Sequence, residues 1–270
     1  MKNLRKIITM LLVCMLVLSV ACAESPVYGA MEQEGLFANL LKHDDEKHPG
    51  KYKPVDEETE IITYTNLPAA LLELQKGTIG LLSCEKSTAE YIAVRNDNLD
   101  ILVFGGQTGY SMMTMEESKE VFDLLNGAIV AMKADGTLDN LIETELKAYI
   151  ESEPATQDLP EFDGAKTITI GVTGDVPPMD FVAANGKAAG FNIALLTEIA
   201  NRAQVNIKLV QIETGARAMA LASGKVDAVF WTKGLACADC NEPFTEDIPG
   251  TIITESYFSD SPAYIMLKAE

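Results

Sequence analysis

Residues 167–181 read TITIGVTGDVPPMDF. A β-branched apolar run gives way to Gly174-Asp175, then to Pro177-Pro178, then to Met179 and Phe181 on either side of Asp180. The run has the composition of a buried strand, and the glycine and prolines directly after it mark a sharp loop. A stretch of this kind opens small-molecule-binding domains. It begins only after 166 other residues.

Downstream, Asn185-Gly186 predicts a hairpin turn, Phe191 to Ala203 a helix, Asn206 to Ile212 a strand, Ala216 to Ser223 a helix and Val226 to Trp231 a strand. Upstream, a similar rhythm runs through Ile61–Thr65 (strand), Pro68–Lys76 (helix closed by Gly77), Thr78–Ser83 (strand), Ser87–Arg95 (helix) and Ile101–Phe104 (strand). Strand, helix and strand at this spacing imply parallel βαβ units and an α/β fold. Between the two halves, Val121, Leu124, Leu125, Ala128, Ile129 and Met132 recur at helical spacing within Glu117–Lys133. That helix stops at Asp135-Gly136, and Thr137 is expected to cap a second one carrying Leu138, Leu141, Ile142, Leu146 and Ile150. Residues 151–165, with two prolines and five acids, read as a linker.

The chain has 270 residues, 47% of them hydrophobic, enough for one large or two small globular domains. Residues 1–23 are set apart: Lys2, Arg5 and Lys6 precede an uncharged run ending in Ala21-Cys22-Ala23, which reads as a cleaved export signal. The uncharged run from Ile7 to Ala23 sits at the short limit for a membrane span, and Cys22 raises the alternative of a lipid-anchored N-terminus. Without that segment 18 Lys and Arg face 40 Asp and Glu, a formal charge of −22, which repels nucleic acid and anionic membranes.

Three cysteines then remain: Cys84, Cys237 and Cys240. Cys237-Ala-Asp-Cys240 is open to a disulfide, a redox pair or half of a metal site. A zinc site needs two further ligands, and His43 and His48 lie in a charged stretch, KHDDEKHPGKYK, that reads as an exposed loop. No metal and no cofactor is expected.

The stretches ITIGVTGDVPPMDFVAANGKAAGFNIALLTEIA, ARAMALASGKVDAVFWT and ESYFSDSPAYIML resemble the first lobe of the amino-acid-type (family 3) extracellular solute-binding proteins. LPAALLELQKGTIGLLSCEKSTAEYI is similar to the family's second lobe, and YSMMTMEESKEVFDLLNGAIVAMKADGTLDNLIETEL to its return hinge and C-terminal helices. The resemblance implies a two-lobed, Venus-flytrap clamp of the type II periplasmic-binding-protein fold with its lobes in permuted order. Residues 24–109 would supply the second lobe, 110–150 the return hinge and C-terminal helices of the first, 151–165 a linker, and 166–270 the first lobe. Joining neighbouring termini through a loop costs little closure entropy. The alternative is two truncated lobes completed by other chains.

The same resemblance implies capture of an amino-acid-like solute in the interlobe cleft by a monomer, and its delivery to an ABC-type permease. Arg217 stands where the family carries an arginine at a helix start; a guanidinium there can grip a carboxylate through two charge-assisted bonds. Glu85 matches the second-lobe acid that receives an ammonium. Val176, Met179 and Phe181 match the loop that walls the ligand, with Val176 in place of the usual aromatic. Trp231 and Thr232 end a buried strand on the cleft side, where the lone tryptophan serves as ligand platform or core filler. The family's second arginine, after Gly and Thr, is missing: KGLACADC follows VDAVFWT, and Lys233 offers a point charge but no fork. Two other classes stay open, a dehydratase-like enzyme pairing Glu85 with Glu213, and a sensory or interaction module with a degenerate cleft.

Overall fold

The computed structural model describes residues 27–31, 61–103, 106–152, 156–236 and 248–268. The export signal, His43, His48, Cys237 and Cys240 lie outside the described residues, as do the side chains of Thr232 and Lys233.

Two α/β units each form around one sheet. In the first, strand β1 (Tyr28–Met31) runs parallel between β2 (Ile61–Tyr64) and β3 (Leu81–Glu85). Helix α1 (Leu67–Lys76) links β2 to β3: Asn66 caps it by accepting from the Ala69 amide, and Gly77, at φ 76°, takes the left-handed turn that ends it. Helix α2 (Lys86–Val94) leads to β4 (Leu99–Val103). Leu74, Ile79, Leu82, Ala89 and Ile92 close the core of this unit.

The second sheet has five strands along one path and a sixth paired to one of them. Its parallel heart is β6 (Thr167–Val172) flanked by β10 (Asn206–Gln211) and β11 (Ala228–Ala236). β5 (Gln107–Met115) runs antiparallel to β11, β12 (Thr251–Ile253) and β13 (Phe258–Asp260). Successive side chains on a strand point to opposite faces. Met112 of β5 thus joins the core beneath α3 (Lys119–Asp135), while Met113 joins a second core on the far face with Ile212, Leu221, Val229 and Trp231. A small hairpin sheet, β7 (Asp175–Val176), β8 (Asp180–Val182) and β9 (Ala188–Ala189), forms around the Asn185-Gly186 turn and leads into the long helix Phe191–Ala203.

The chain crosses between the units twice. It leaves β4 for β5, and returns from β13 to β14 (Pro262–Leu267), which lies between β3 and β4 and antiparallel to both. β5 and β13 pair at the crossing, Tyr110 opposite Phe258 and Thr108 opposite Asp260. Each sheet therefore contains a strand from the other half of the sequence.

Two expectations need correction. Residues 262–267 do not belong with the sheet of residues 166–260, because β14 completes the sheet of the N-terminal half. The stretch read as a linker forms no helix or named strand over 156–165 and packs along the second unit: Phe162 and Asn206 exchange two hydrogen bonds, Thr156 bridges to Ala189, and Leu159 packs on the core. Thr137 does not cap its helix; Asp135 Oδ1 accepts from the Thr137 amide, and the Thr137 hydroxyl accepts from Arg202. That helix runs Thr137–Leu141 and Ala148–Glu151 with a π-helical stretch, Ile142–Lys147, between.

Candidate functional site

Where the units face each other, one carboxylate spans the gap. Asp175 Oδ2, in the loop after β6, accepts at 3.3 Å from the backbone N–H of Leu67, the first residue of α1. Nearby, the Phe181 ring lies 6.1 Å from the Tyr91 ring of α2. Two of the loop's acids thus have distinct jobs, because Asp180 turns inward. Its Oδ1 accepts from Thr173 Oγ1 and the Gly174 amide, both at 2.7 Å, and its Oδ2 accepts from Asn192 Nδ2 at 2.9 Å. Asn192 in turn accepts from the buried Tyr257 hydroxyl. A buried carboxylate persists only when its lone pairs are so engaged, and here they fix the loop's shape. Gly190 completes the fit: a Cβ there would stand 2.5 Å from the Met179 carbonyl, at a φ of 108°.

Glu85 ends β3 and enters α2 without capping it. The cap comes from Asp260, whose Oδ2 accepts from the Ser87 amide at 2.8 Å, while Lys86 N donates to Ser261 O. Burial pushes the Glu85 carboxyl up to about 7; its own backbone amide pulls it back, the Asp260 charge raises it further, and the Tyr110 hydroxyl and Arg217 lower it. Glu85, Asp260, Tyr110 and Arg217 therefore share one electrostatic neighbourhood although they come from both units. Burial likewise raises Asp175, with Asp180 adding to it and the Leu67 amide opposing it.

Arg217 opens the short helix Arg217–Ala222. Part of its guanidinium is held within its own unit: Nε donates to Thr214 O at 3.2 Å, Nη1 donates to Phe230 O at 3.0 Å, and Cζ lies 5.4 Å over the Trp231 ring. Burial lowers its pKa, opposed by Asp180, Glu85, Tyr257 and Asp175. Trp231, 5% exposed, is a core filler beneath this guanidinium. Met179, 2% exposed, packs in the core cluster with Phe191. Val176 and Phe181 are half-buried in the loop. Thr232 pairs with Tyr110 in the β11–β5 register.

Sequence reasoning passed over Asp175, Asp180 and Asp260. Asp175 and Asp180 stand in the quoted loop, but which acid turns inward depends on Asn192, twelve residues further on. Glu213, the expected partner of Glu85, is exposed, and the acid whose charge reaches Glu85 is Asp260. Among the described residues no three His, Cys, Asp or Glu gather to hold a metal, and no helix is long and apolar enough to cross a membrane.

Residues 168–233 match the bacterial extracellular solute-binding proteins, family 3. The match begins in β6 and ends in β11, so it takes in the Asp175–Phe181 loop and Arg217. No curated protein matches the chain. Among solved structures, the ligand-binding component of an ABC-type import system from Staphylococcus aureus, with zinc bound, aligns over 91% of this chain and 66% of its own, just under two thirds, at 10% identity and a TM-score of 0.47. The GluR0 ligand-binding core from Nostoc punctiforme, in complex with L-glutamate, aligns over 90% of this chain and 85% of its own, at 10% identity and a TM-score of 0.41. The alkanesulfonate-binding protein SsuA from Xanthomonas axonopodis pv. citri, bound to MOPS, aligns over 92% and 67%, at 11% identity and a TM-score of 0.39.

Proposed function

We propose that this chain is an exported solute-binding protein that captures a small polar solute bearing a positive charge, of the amino-acid-like class, between its two units, and presents it to an ABC-type permease. The observation carrying this reading is the convergence of Glu85, Asp260 and Arg217 from both units on one neighbourhood, beside the loop that the family match includes. Closure of such a clamp is driven by contacts that both lobes make to the solute, and Glu85 of one unit and Arg217 of the other lie within electrostatic reach of each other.

The proposal includes a permuted lobe order. Its support is that β14 sits inside the sheet of the N-terminal half while β5 sits inside the sheet of the C-terminal half, so one copy of each element builds a single two-lobed body. The test is a thermal-shift screen of the chain from Glu24 onward against amino acids, amines and small carboxylates. A solute at a hundred times its Kd adds about 2.7 kcal/mol. If no compound moves the transition, the solute-binding reading fails.

Catalysis has one observation in its favour, a Glu85 carboxyl pushed up to about 7, which suits a general acid. Turnover of a hydroxylated carboxylic acid, abolished in Glu85→Gln, would establish that reading instead.

A further inference from the structure

Glu85 stands at the N-cap of α2, in extended backbone with φ −78° and ψ 152°. A side chain at that position ordinarily turns back and accepts from the amide of the second or third helical residue. Glu85 makes no such bond. Asp260 makes it instead, its Oδ2 accepting from the Ser87 amide at 2.8 Å. Its Oδ1 accepts from the Ser261 amide at 2.8 Å, and Ser261 O accepts from the Lys86 amide at 2.8 Å. Pro262 follows, opposite Glu85 in the β14–β3 register. Three successive residues of the second crossing, 260–262, are thus set against three successive residues of the first unit, 85–87.

Asp260 itself belongs to the other sheet, where it ends β13 and pairs with Thr108 of β5. It is 8% exposed, and each of its oxygens is engaged by a backbone amide, so its effect on the site runs through Glu85. That effect has two parts. Asp260 takes the amide to which the Glu85 carboxylate would otherwise turn, and it sets a negative charge beside that carboxylate. Asp260 from β13, the Tyr110 hydroxyl from β5 and Arg217 from the second unit all face Glu85, while Lys86 next to it is paired with Glu90 at 3.3 Å. Burial pushes the Glu85 carboxyl up to about 7, and the Asp260 charge adds to the rise.

We propose that Asp260 is a positioning residue for solute capture: by capping α2 from the other sheet, it keeps the Glu85 carboxylate off the helix end and turned toward the solute. This rests on the solute-binding reading and names the residue that prepares its acidic seat.

The experiment follows the Glu85 carboxyl by carbon-13 NMR against pH, its signal assigned by loss in Glu85→Gln, in the unaltered protein, Asp260→Ala and Asp260→Asn. The unaltered midpoint is expected near 7. Asp260→Ala opens the Ser87 amide, to which Glu85 should turn as a carboxylate, bringing the midpoint to its ordinary 4.5 or below. Asp260→Asn keeps an acceptor on Ser87 and removes only the charge, so the midpoint should fall by less, about one pH unit. Calorimetry with L-lysine and 1,4-diaminobutane as probes should show Asp260→Ala binding at least about tenfold more weakly, the scale of one hydrogen bond to a charged group, and Asp260→Asn weakened less. Asp260→Asn supplies both readouts even if the alanine variant folds poorly. A Glu85 midpoint that stays near 7 in the variants, or probe affinity that neither variant moves, overturns this inference and leaves the solute-binding reading intact. Silence of the unaltered protein toward both probes counts against the solute-binding reading itself and removes the role of Asp260 in capture, whatever the titration shows.

Discussion

The Arg95 guanidinium lies 3.6 Å above the Tyr91 ring, one turn back on the same helix, and from there reaches across to the other unit. Nη1 donates to Ile150 O at 2.7 Å and Nη2 to Ser152 O at 2.8 Å, so the residue that ends α2 caps the carbonyl end of Ala148–Glu151. A cation at a helix C-terminus is favoured by the dipole as well as by the bonds themselves. Tyr91 in turn meets Phe181, which makes Arg95, Tyr91 and Phe181 a continuous contact between the units.

Arg95→Ala should therefore cost about 2 kcal/mol, the range for hydrogen bonds to a charged group. Arg95→Lys should recover little of it, because an ammonium cannot lie flat on Tyr91 and serve two carbonyls at once. Urea unfolding measures both; equal stability of Arg95→Ala and the unaltered protein would show that the units do not lean on this contact.

Glu85 makes stability depend on pH in an unusual direction. Between its ordinary value of 4.5 and about 7, the folded protein holds a proton that the unfolded chain has released. Stability is then fully present below about 4.5 and declines as pH rises through about 7. The decline is on the order of 2 kcal/mol after discounting for a half-buried group. Asp260, Tyr110 and Arg217 face Glu85, and Asp175, raised by burial, contributes in the same direction at lower pH. Glu85→Gln should flatten the thermal midpoint across this window. A cation seated beside Glu85 reverses the burial effect, so calorimetry near pH 6 should register proton release on amine binding.

How far the sequence could be read followed the range of the forces involved. Phe191–Ala203 and Thr167–Val172 were legible to the residue, because apolar spacing and flanking Gly190 or Gly174 are local signals. β1 was not: Tyr-Gly-Ala-Met has no alternation, and it is a strand because β2 and β3 bracket it, so that a Cβ on Gly29 would meet Tyr64 of β2 at 3.3 Å and Leu82 of β3 at 3.4 Å. Glu85 and Arg217 were found through motif position, and they do share a neighbourhood. The contacts of the neighbouring acids were hidden by distance: Asp260 is 173 residues from Ser87, and Asp175 is 108 from Leu67.

Asp180 is the keystone of the loop between β6 and the helix Phe191–Ala203. Asp180→Ala would leave Thr173 Oγ1, the Gly174 amide and Asn192 Nδ2 without their acceptor in a buried setting, at a cost of about 3 kcal/mol. Asp180→Asn keeps one acceptor oxygen but turns an amide donor toward another donor at Asn192 or at Gly174, so it should recover less than half of the loss. Solute affinity should fall further than stability, because Asp175 and Phe181 reach across the cleft only from this loop. An Asp180→Ala protein with unchanged solute affinity would separate the loop from the site.

The lobe order can be tested by moving the chain ends. A reordered chain running Thr156–Lys268, a flexible Gly/Ser linker, then Val27–Ser152 keeps every described strand pairing and opens the backbone within residues 153–155. It cuts no hydrogen bond described here, since Arg95 still meets Ser152 O and Thr156 still bridges to Ala189. Closing the new connection costs only loop entropy, which rises slowly with length. The reordered protein should melt cooperatively within a few degrees of the original and bind the same solute, because β14 would still insert between β3 and β4 and β5 between β11 and β12. If the two halves instead purify as separately melting bodies, or the reordered chain assembles only as a dimer, each sheet was being completed by a neighbouring molecule and the single-chain clamp is wrong.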